Sequence, residues 1–115
     1  MKMKGALNKN RQTVIKHEDE LSYNAPHHYF IVTDEGEANG EINFQCGPIK
    51  EVGINGITNE DLLDIVLNRL SHFQKTKYKC FENQMAIQKI TEGLLWLNKR
   101  TQERESRGVE GTSDL

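Results

Sequence analysis

The sequence predicts an α+β fold: an N-terminal antiparallel β-hairpin or small sheet, then a long antiparallel two-helix hairpin, in a chain that oligomerises. Three observations predict it. His28-Tyr29-Phe30-Ile31-Val32-Thr33 is a β-branched and aromatic run, the composition of a strand. From about Asn59 to Arg107 apolar residues recur at helical spacing, broken once by a short basic stretch. Hydrophobic residues are only 36% of the 115, and mean hydropathy is −0.70. An elongated helical pair with so few apolar side chains does not cover itself, so a second copy is expected.

The length is that of a single domain, 1–115. Residues 1–27 are polar and lysine-rich, with the charged run His17-Glu18-Asp19-Glu20. They read as a weakly ordered or extended, solvated N-terminus, with Thr13-Val14-Ile15 the stretch of most strand character. Residues 28–57 read as a hairpin and a glycine-rich loop. The first strand is His28 to Thr33. Asp34 to Gly40 is the turn region, with Asn39-Gly40 the hairpin signal. Glu41-Ile42-Asn43-Phe44-Gln45 alternates polar and apolar, as a half-buried strand does. Gly47 to Ile57 is irregular, and its glycines let the backbone approach a neighbour.

Residues 58–108 form the helical hairpin. Thr58 or Asn59 caps the first helix, and Glu60 and Asp61 complement its dipole. Its stripe runs through Leu62, Val66, Leu70 and Phe73. Gln74 to Lys79 is the turn. The second helix spans about Phe81 to Arg107, roughly 40 Å at 1.5 Å per residue. Its stripe is Asn83, Ile87, Ile90, Leu94, Leu97, Thr101 and Arg104, and Gly108 stops it.

Charge and motifs narrow the function. The net charge is −2 and the pI about 6.1, unlike a protein that binds a DNA or RNA duplex. No apolar run is long enough for a membrane span, and no signal peptide is legible. Cys46 and Cys80 lack metal-ligand spacing and read as reduced thiols. His27 and His28 would point to opposite sides of a strand, so no metal site is expected. There is no nucleophile elbow, HExxH, CxxC or Walker loop, and no acid–base pair stands out. No catalytic residue and no cofactor are assigned, and the chain is read as a non-enzyme.

What remains is a guanidinium face. Arg100, Arg104 and Arg107 stand at i, i+4 and i+7 and continue a face through Gly93, Trp96 and Leu97 that is expected to be buried. Arginines there suit a phosphate or carboxylate. A salt-bridged surface helix is the competing reading, and Glu103 favours it for Arg107. Phe73 is either core or a stacking face. Asn83 either bonds the adjoining turn or reads a base or ribose edge.

Several segments carry a family resemblance: Phe44-Gln45-Cys46-Gly47-Pro48-Ile49-Lys50-Glu51-Val52-Gly53-Ile54-Asn55-Gly56, Thr58-Asn59-Glu60-Asp61-Leu62-Leu63, Cys80-Phe81-Glu82-Asn83, Trp96-Leu97-Asn98-Lys99-Arg100-Thr101 and Arg107-Gly108-Val109-Glu110-Gly111-Thr112. From about Tyr29 to Thr112 the chain resembles the phage Thoeris anti-defence proteins of the first type. Its helical hairpin is also similar to the phage anti-CBASS sponge. The resemblance implies a phage protein acting in the host bacterial cytoplasm. It would bind the glyco-cyclic ADP-ribose signal of the Thoeris system and hold it uncleaved. The alternative is a sponge for cyclic trinucleotides of CBASS, alone or at a separate site. The implied assembly is a homodimer, or a hexamer built as a trimer of dimers. The resemblance places ligand contacts on Phe73, Asn83, Arg100 and Arg104. Arg100 and Arg104 would meet the pyrophosphate, Phe73 the adenine, and Asn83 a base or ribose group. Gly47, Pro48, Ile49 and Lys50 would lid the site, and Arg107 would lie further out. Family members often carry arginine after the cysteine that opens the second helix, where this chain has Phe81.

Overall fold

The computed structural model describes residues 12–115. The chain forms two compact units, one ending at Gly56 and the other beginning at Ile57. The first holds strands β1 (Thr13–His17), β2 (His28–Thr33) and β3 (Ala38–Asn43) and a single-turn helix α1 (Ile49–Val52). The second holds helices α2 (Asn59–Phe73) and α3 (Phe81–Ser106). This is the α+β order expected, a sheet followed by a helical hairpin.

The sheet is antiparallel, in the order β1-β2-β3. Residues 13–17 therefore belong to a paired strand rather than to a solvated tail, with Val14 opposite Val32 and Ile15 opposite Ile31. The apolar side chains of β2 need partners on both flanks, and β1 supplies one of them. Residues 1–11, part of the expected extended N-terminus, lie outside the described residues. β1 returns to β2 through a turn in which Tyr23 and Asn24 take positive φ (49° and 71°). Glu18 fixes this return. Its carboxylate accepts the backbone N–H groups of His27 (3.0 Å) and His28 (3.2 Å), and their donation holds its pKa below the ordinary 4.5.

The β2–β3 turn lies earlier than the Asn39-Gly40 signal suggested. It closes at Asp34 to Glu37, where Gly36 has φ +90° and its N–H reaches the Thr33 carbonyl at 2.9 Å. The Thr33 hydroxyl accepts the Glu37 N–H at 3.0 Å. Asn39 and Gly40 fall inside β3. Val32 pairs with Ala38 and Ile31 with Gly40, so Asn39 is the extra residue of a bulge. Gly40 leaves room under Ile31, whose Cδ1 would lie 3.6 Å from a Cβ built there. Across the sheet Tyr29 meets Phe44 edge-on with centroids 5.6 Å apart, and His17 meets Tyr29 at 5.9 Å.

The helical unit keeps its capping signals and the α3 stripe, whereas Val66 of the expected α2 stripe is exposed and Leu63 and Leu67 are half-buried in its place. Thr58 and Asp61 form a reciprocal capping box, with Asp61 N–H to Thr58 Oγ1 at 3.1 Å and Thr58 N–H to Asp61 Oδ2 at 3.0 Å. The Gln74 side chain ties the turn to the start of α3, donating to the Cys80 carbonyl and accepting the Cys80 N–H, both at 3.0 Å. α3 ends in a Schellman motif: Val109 N–H reaches the Arg104 carbonyl (3.1 Å), Gly108 N–H the Glu105 carbonyl (3.0 Å), and Gly108 takes φ +72°. All seven residues of the expected α3 stripe, Asn83 to Arg104, are half-buried. No described residue is fully buried, apolar or polar.

The Glu18 contact carries a pH dependence of known sign. A carboxylate whose pKa is depressed by folding stabilises the fold above its unfolded value, and that contribution is lost as pH falls through the folded value, below 4.5. In an NMR titration the His27 and His28 amide resonances are expected to move with a midpoint under 4.5. In Glu18→Gln that transition is expected to be absent.

Candidate ligand site

The four expected contact residues all lie in the helical unit, at its two ends. Phe73 closes α2 and Asn83 sits in the first turn of α3. The Gln74 clamp holds the intervening turn, so these two are fixed at one end. Phe73 is half-buried, and the Arg69 guanidinium lies over its ring at 5.1 Å. The Asn83 backbone N–H meets the capping Cys80 sulfur at 3.4 Å, leaving the side-chain amide outside the cap. The bonds across the turn are made by Gln74, not by Asn83.

Arg100 and Arg104 stand 17 and 21 residues further along the same helix. At 1.5 Å per residue that is roughly 25 Å and roughly 32 Å from Asn83. Side chains do not bridge such a span, so one copy of the hairpin does not bring the four residues to one ligand.

The three arginines also differ from one another. Arg100 is exposed, and among the described residues no hydrogen bond or ion pair engages it. Its neighbour on the same face, Trp96, was expected to be buried but is 63% exposed, with Lys99 Nζ above its ring at 5.2 Å. Trp96 and Arg100 therefore form an open face, displaced from the packing stripe of Leu97, Thr101 and Arg104. Arg104 is the opposite case, its side chain only 11% exposed. Its Nε donates to Glu110 Oε2 (3.1 Å), Nη1 to the Asp114 carbonyl (2.9 Å), and Nη2 to the carbonyls of Val109 (2.9 Å) and Thr112 (3.2 Å). Arg107 pairs with Glu103 (2.5 Å and 3.1 Å) and reaches the Leu115 carbonyl at 2.7 Å. The salt-bridged surface reading describes Arg107.

Gly47, Pro48, Ile49 and Lys50 belong to the other compact unit. Pro48 precedes the single turn of α1, which the sequence reading did not foresee. Two amide side chains make this loop rigid. Gln45 donates to the carbonyls of Gly47 (3.0 Å) and Gly53 (2.8 Å) and accepts the Asn55 N–H (3.0 Å). Asn55 bonds both the N–H and the carbonyl of Cys46, each at 2.8 Å. Gly47 has φ +91°, and a Cβ there would lie 2.9 Å from Val52 Cγ2. On this framework Ile54 is 81% exposed.

A shallow groove of about 400 Å³ runs along the helical unit, lined by Glu60, Asp64, Thr91, Leu94, Leu95, Asn98 and Thr101. None of the four expected contact residues lines it. Among the described residues, no His, Cys, Asp and Glu side chains cluster as metal ligands would, and no helix is long and apolar enough to cross a membrane.

The features sequence reasoning missed are Glu110 and the carbonyls of Val109, Thr112 and Asp114. The signal for them was present: an arginine at the third position from the helix end, followed by two glycines that turn the chain back, with a carboxylate between them.

A helical hairpin preceded by a small sheet is what the fold defines, and it corresponds to a described domain type. Residues 36–102 match the family model described as "Acb2/Tad1, hairpin domain", more than half of the chain. The chain is 41% identical over 138 aligned positions to Thoeris anti-defense 1 of Bacillus phage SBSphiJ7, with 97% of each chain covered. The protein belongs to the Thoeris anti-defence family that carries this hairpin domain.

The rigidity of the Gln45–Asn55 loop is testable. A Cβ at Gly56 would lie 2.5 Å from the Phe44 carbonyl carbon and oxygen, which are backbone atoms and do not yield cheaply. Gly56→Ala is expected to lower stability by about 1–3 kcal/mol in denaturant unfolding, the usual cost of overpacking. The isosteric surface change Ile54→Leu is expected to lower it by less than about 0.5 kcal/mol.

Proposed function

We propose that the protein is a phage anti-defence factor that captures the glyco-cyclic ADP-ribose signal of the Thoeris system and holds it uncleaved, so the effector is never switched on. The observation that carries this reading is the 41% identity, over 97% of both chains, to a phage protein named for Thoeris anti-defence. The chemistry of the helical unit supports it. Arg100 offers an unengaged guanidinium fork, the best match for a pyrophosphate. Phe73 offers a ring on which adenine stacks, and Asn83 an amide that reads a base or ribose edge.

The spacing along α3 supports a site built across two chains. Phe73 and Asn83 of one protomer meet Arg100 of its partner when two hairpins lie antiparallel, each covering the open end of the other. A two-fold dimer does this twice, giving two equal pockets. The open apolar side chains Trp96, Leu95 and Ile65 supply area for the contact. A dimer is thus the smallest competent unit, and a hexamer would be three of them. Capture requires no general base, and none is assigned.

Retention of ligand tests the reading. Full-length protein is mixed with glyco-cyclic ADP-ribose, freed of unbound ligand and heated, and the released ligand is weighed by mass spectrometry. Intact ligand at up to one per protomer is expected, and Arg100→Ala is expected to weaken capture by about tenfold or more. A cleaved product would make the protein an enzyme. Retention unchanged in Arg100→Ala would remove Arg100 from the site. Capture of cyclic trinucleotides alone would move the function to CBASS.

A further inference from the structure

The C-terminal segment after α3 is organised by one side chain. Arginine has five N–H groups, one on Nε and two on each Nη. In Arg104 four of the five are spent on this segment: one on Glu110 and three on the carbonyls of Val109, Thr112 and Asp114. The strap is also folded on itself. Thr112 N–H bonds the Val109 carbonyl at 3.1 Å, and Gly111 takes φ +78°, which completes a tight turn. Glu110 is the carboxylate of this assembly and Arg104 its cation, with the arginine 11% exposed and the glutamate 37%. By contrast Arg100, one helical turn earlier, spends none of its five N–H groups on the described residues.

This division of labour changes what Arg104 can do for an anion. With the strap in place it has one N–H to offer, on Nη1, and its charge is shared with Glu110. We propose that Arg104 is a positioning residue: it sets the strap of residues 109–114 against the end of α3, and it influences ligand capture through that strap more than through its own charge. The inference rests on the capture reading above for its functional half. Its structural half, the clasp, stands apart from any ligand.

The clasp and a bare cation predict opposite responses. If Arg104 acted by charge, removing Glu110 would free its fork and tighten capture. If Arg104 acts as a clasp, removing Glu110 loosens the strap and weakens capture. Likewise Arg104→Lys keeps the charge but cannot reproduce four directed bonds, so a clasp fails where a charge survives.

The experiment compares wild type, Arg104→Lys and Glu110→Ala in two ways. Amide hydrogen exchange reads the strap at Val109 and Thr112 and, as an internal control, the body of α3. Stopped-flow with glyco-cyclic ADP-ribose separates association from dissociation. The expected result is faster strap exchange in both variants with α3 unchanged. Ligand dissociation is expected to accelerate by about tenfold, the scale of one lost charge-assisted bond. Association, steered by charge, is expected to hold within about twofold. Tighter capture in Glu110→Ala, or wild-type dissociation in Arg104→Lys, would overturn the proposal. A loosened strap with unchanged capture would overturn it too. Should wild type retain no ligand, the capture reading falls by itself. The exchange arm still decides: protection lost in Arg104→Lys upholds the clasp, and protection kept removes it.

Discussion

About 25 Å of continuous helix separates Asn83 from Arg100, and the functional account depends on that separation. α3 is 26 residues long and is capped at both ends, by Cys80 and by a Schellman turn. It does not bend to bring its termini together. The aromatic and amide end of the hairpin is therefore remote from the cationic end within one chain. A ligand that needs both ends needs two chains. On the proposed reading an oligomer would be part of the site as well as a source of stability. Among the described residues none is fully buried, so much of the apolar surface that should drive folding is still available to an interface.

The arginine series shows how one sequence feature separates into three roles. Positions i, i+4 and i+7 look equivalent on a helical wheel, but their surroundings do not. Arg107 meets Glu103 one turn back, an exposed pair of small energetic weight. Arg104 is drawn under the returning chain, because Gly108 and Gly111 reverse the backbone and bring three carbonyls within reach. Arg100 precedes the reversal and remains open. A charge that is already hydrogen-bonded four times is a structural element, and a charge that is not bonded is available to a ligand.

Much of this was legible from the sequence, and the exceptions have physical causes. Both long helices were, because capping chemistry at Thr58, the apolar period and Gly108 agree with one another. The seven-residue stripe of α3 was legible for the same reason. The β2–β3 turn was not: Asn39-Gly40 is the stronger local turn signal, yet cross-strand pairing of Ile31 and Val32 placed it inside β3, with a bulge absorbing the extra residue. Pairing overrides local preference when both strands carry apolar residues. β1 is weakly signalled because its flanking residues are polar, and its partners in β2 lie 12 residues away (His17 with Tyr29) to 20 residues away (Thr13 with Thr33), reached only once the turn at Tyr23-Asn24 forms. Trp96 looked like core because it is apolar, and the wheel alone does not say which apolar residues are kept for a partner. Resemblance names the candidate residues, and the separation of Asn83 from Arg100 follows from the predicted length of the second helix; what only the structure shows is that the returning chain engages Arg104 and leaves Arg100 open.

Complementation between chains tests the central claim most directly. Phe73→Ala and Arg100→Ala each remove one end of every pocket in a homodimer. Co-expressed with different tags and purified as the mixed dimer, they leave one pocket with both ends intact and one with neither. The account predicts that each homodimer fails to retain glyco-cyclic ADP-ribose, while the mixed dimer retains one ligand per dimer at wild-type affinity. A mixed dimer as empty as its parents would contradict it, since the two ends would then have to act within a single chain.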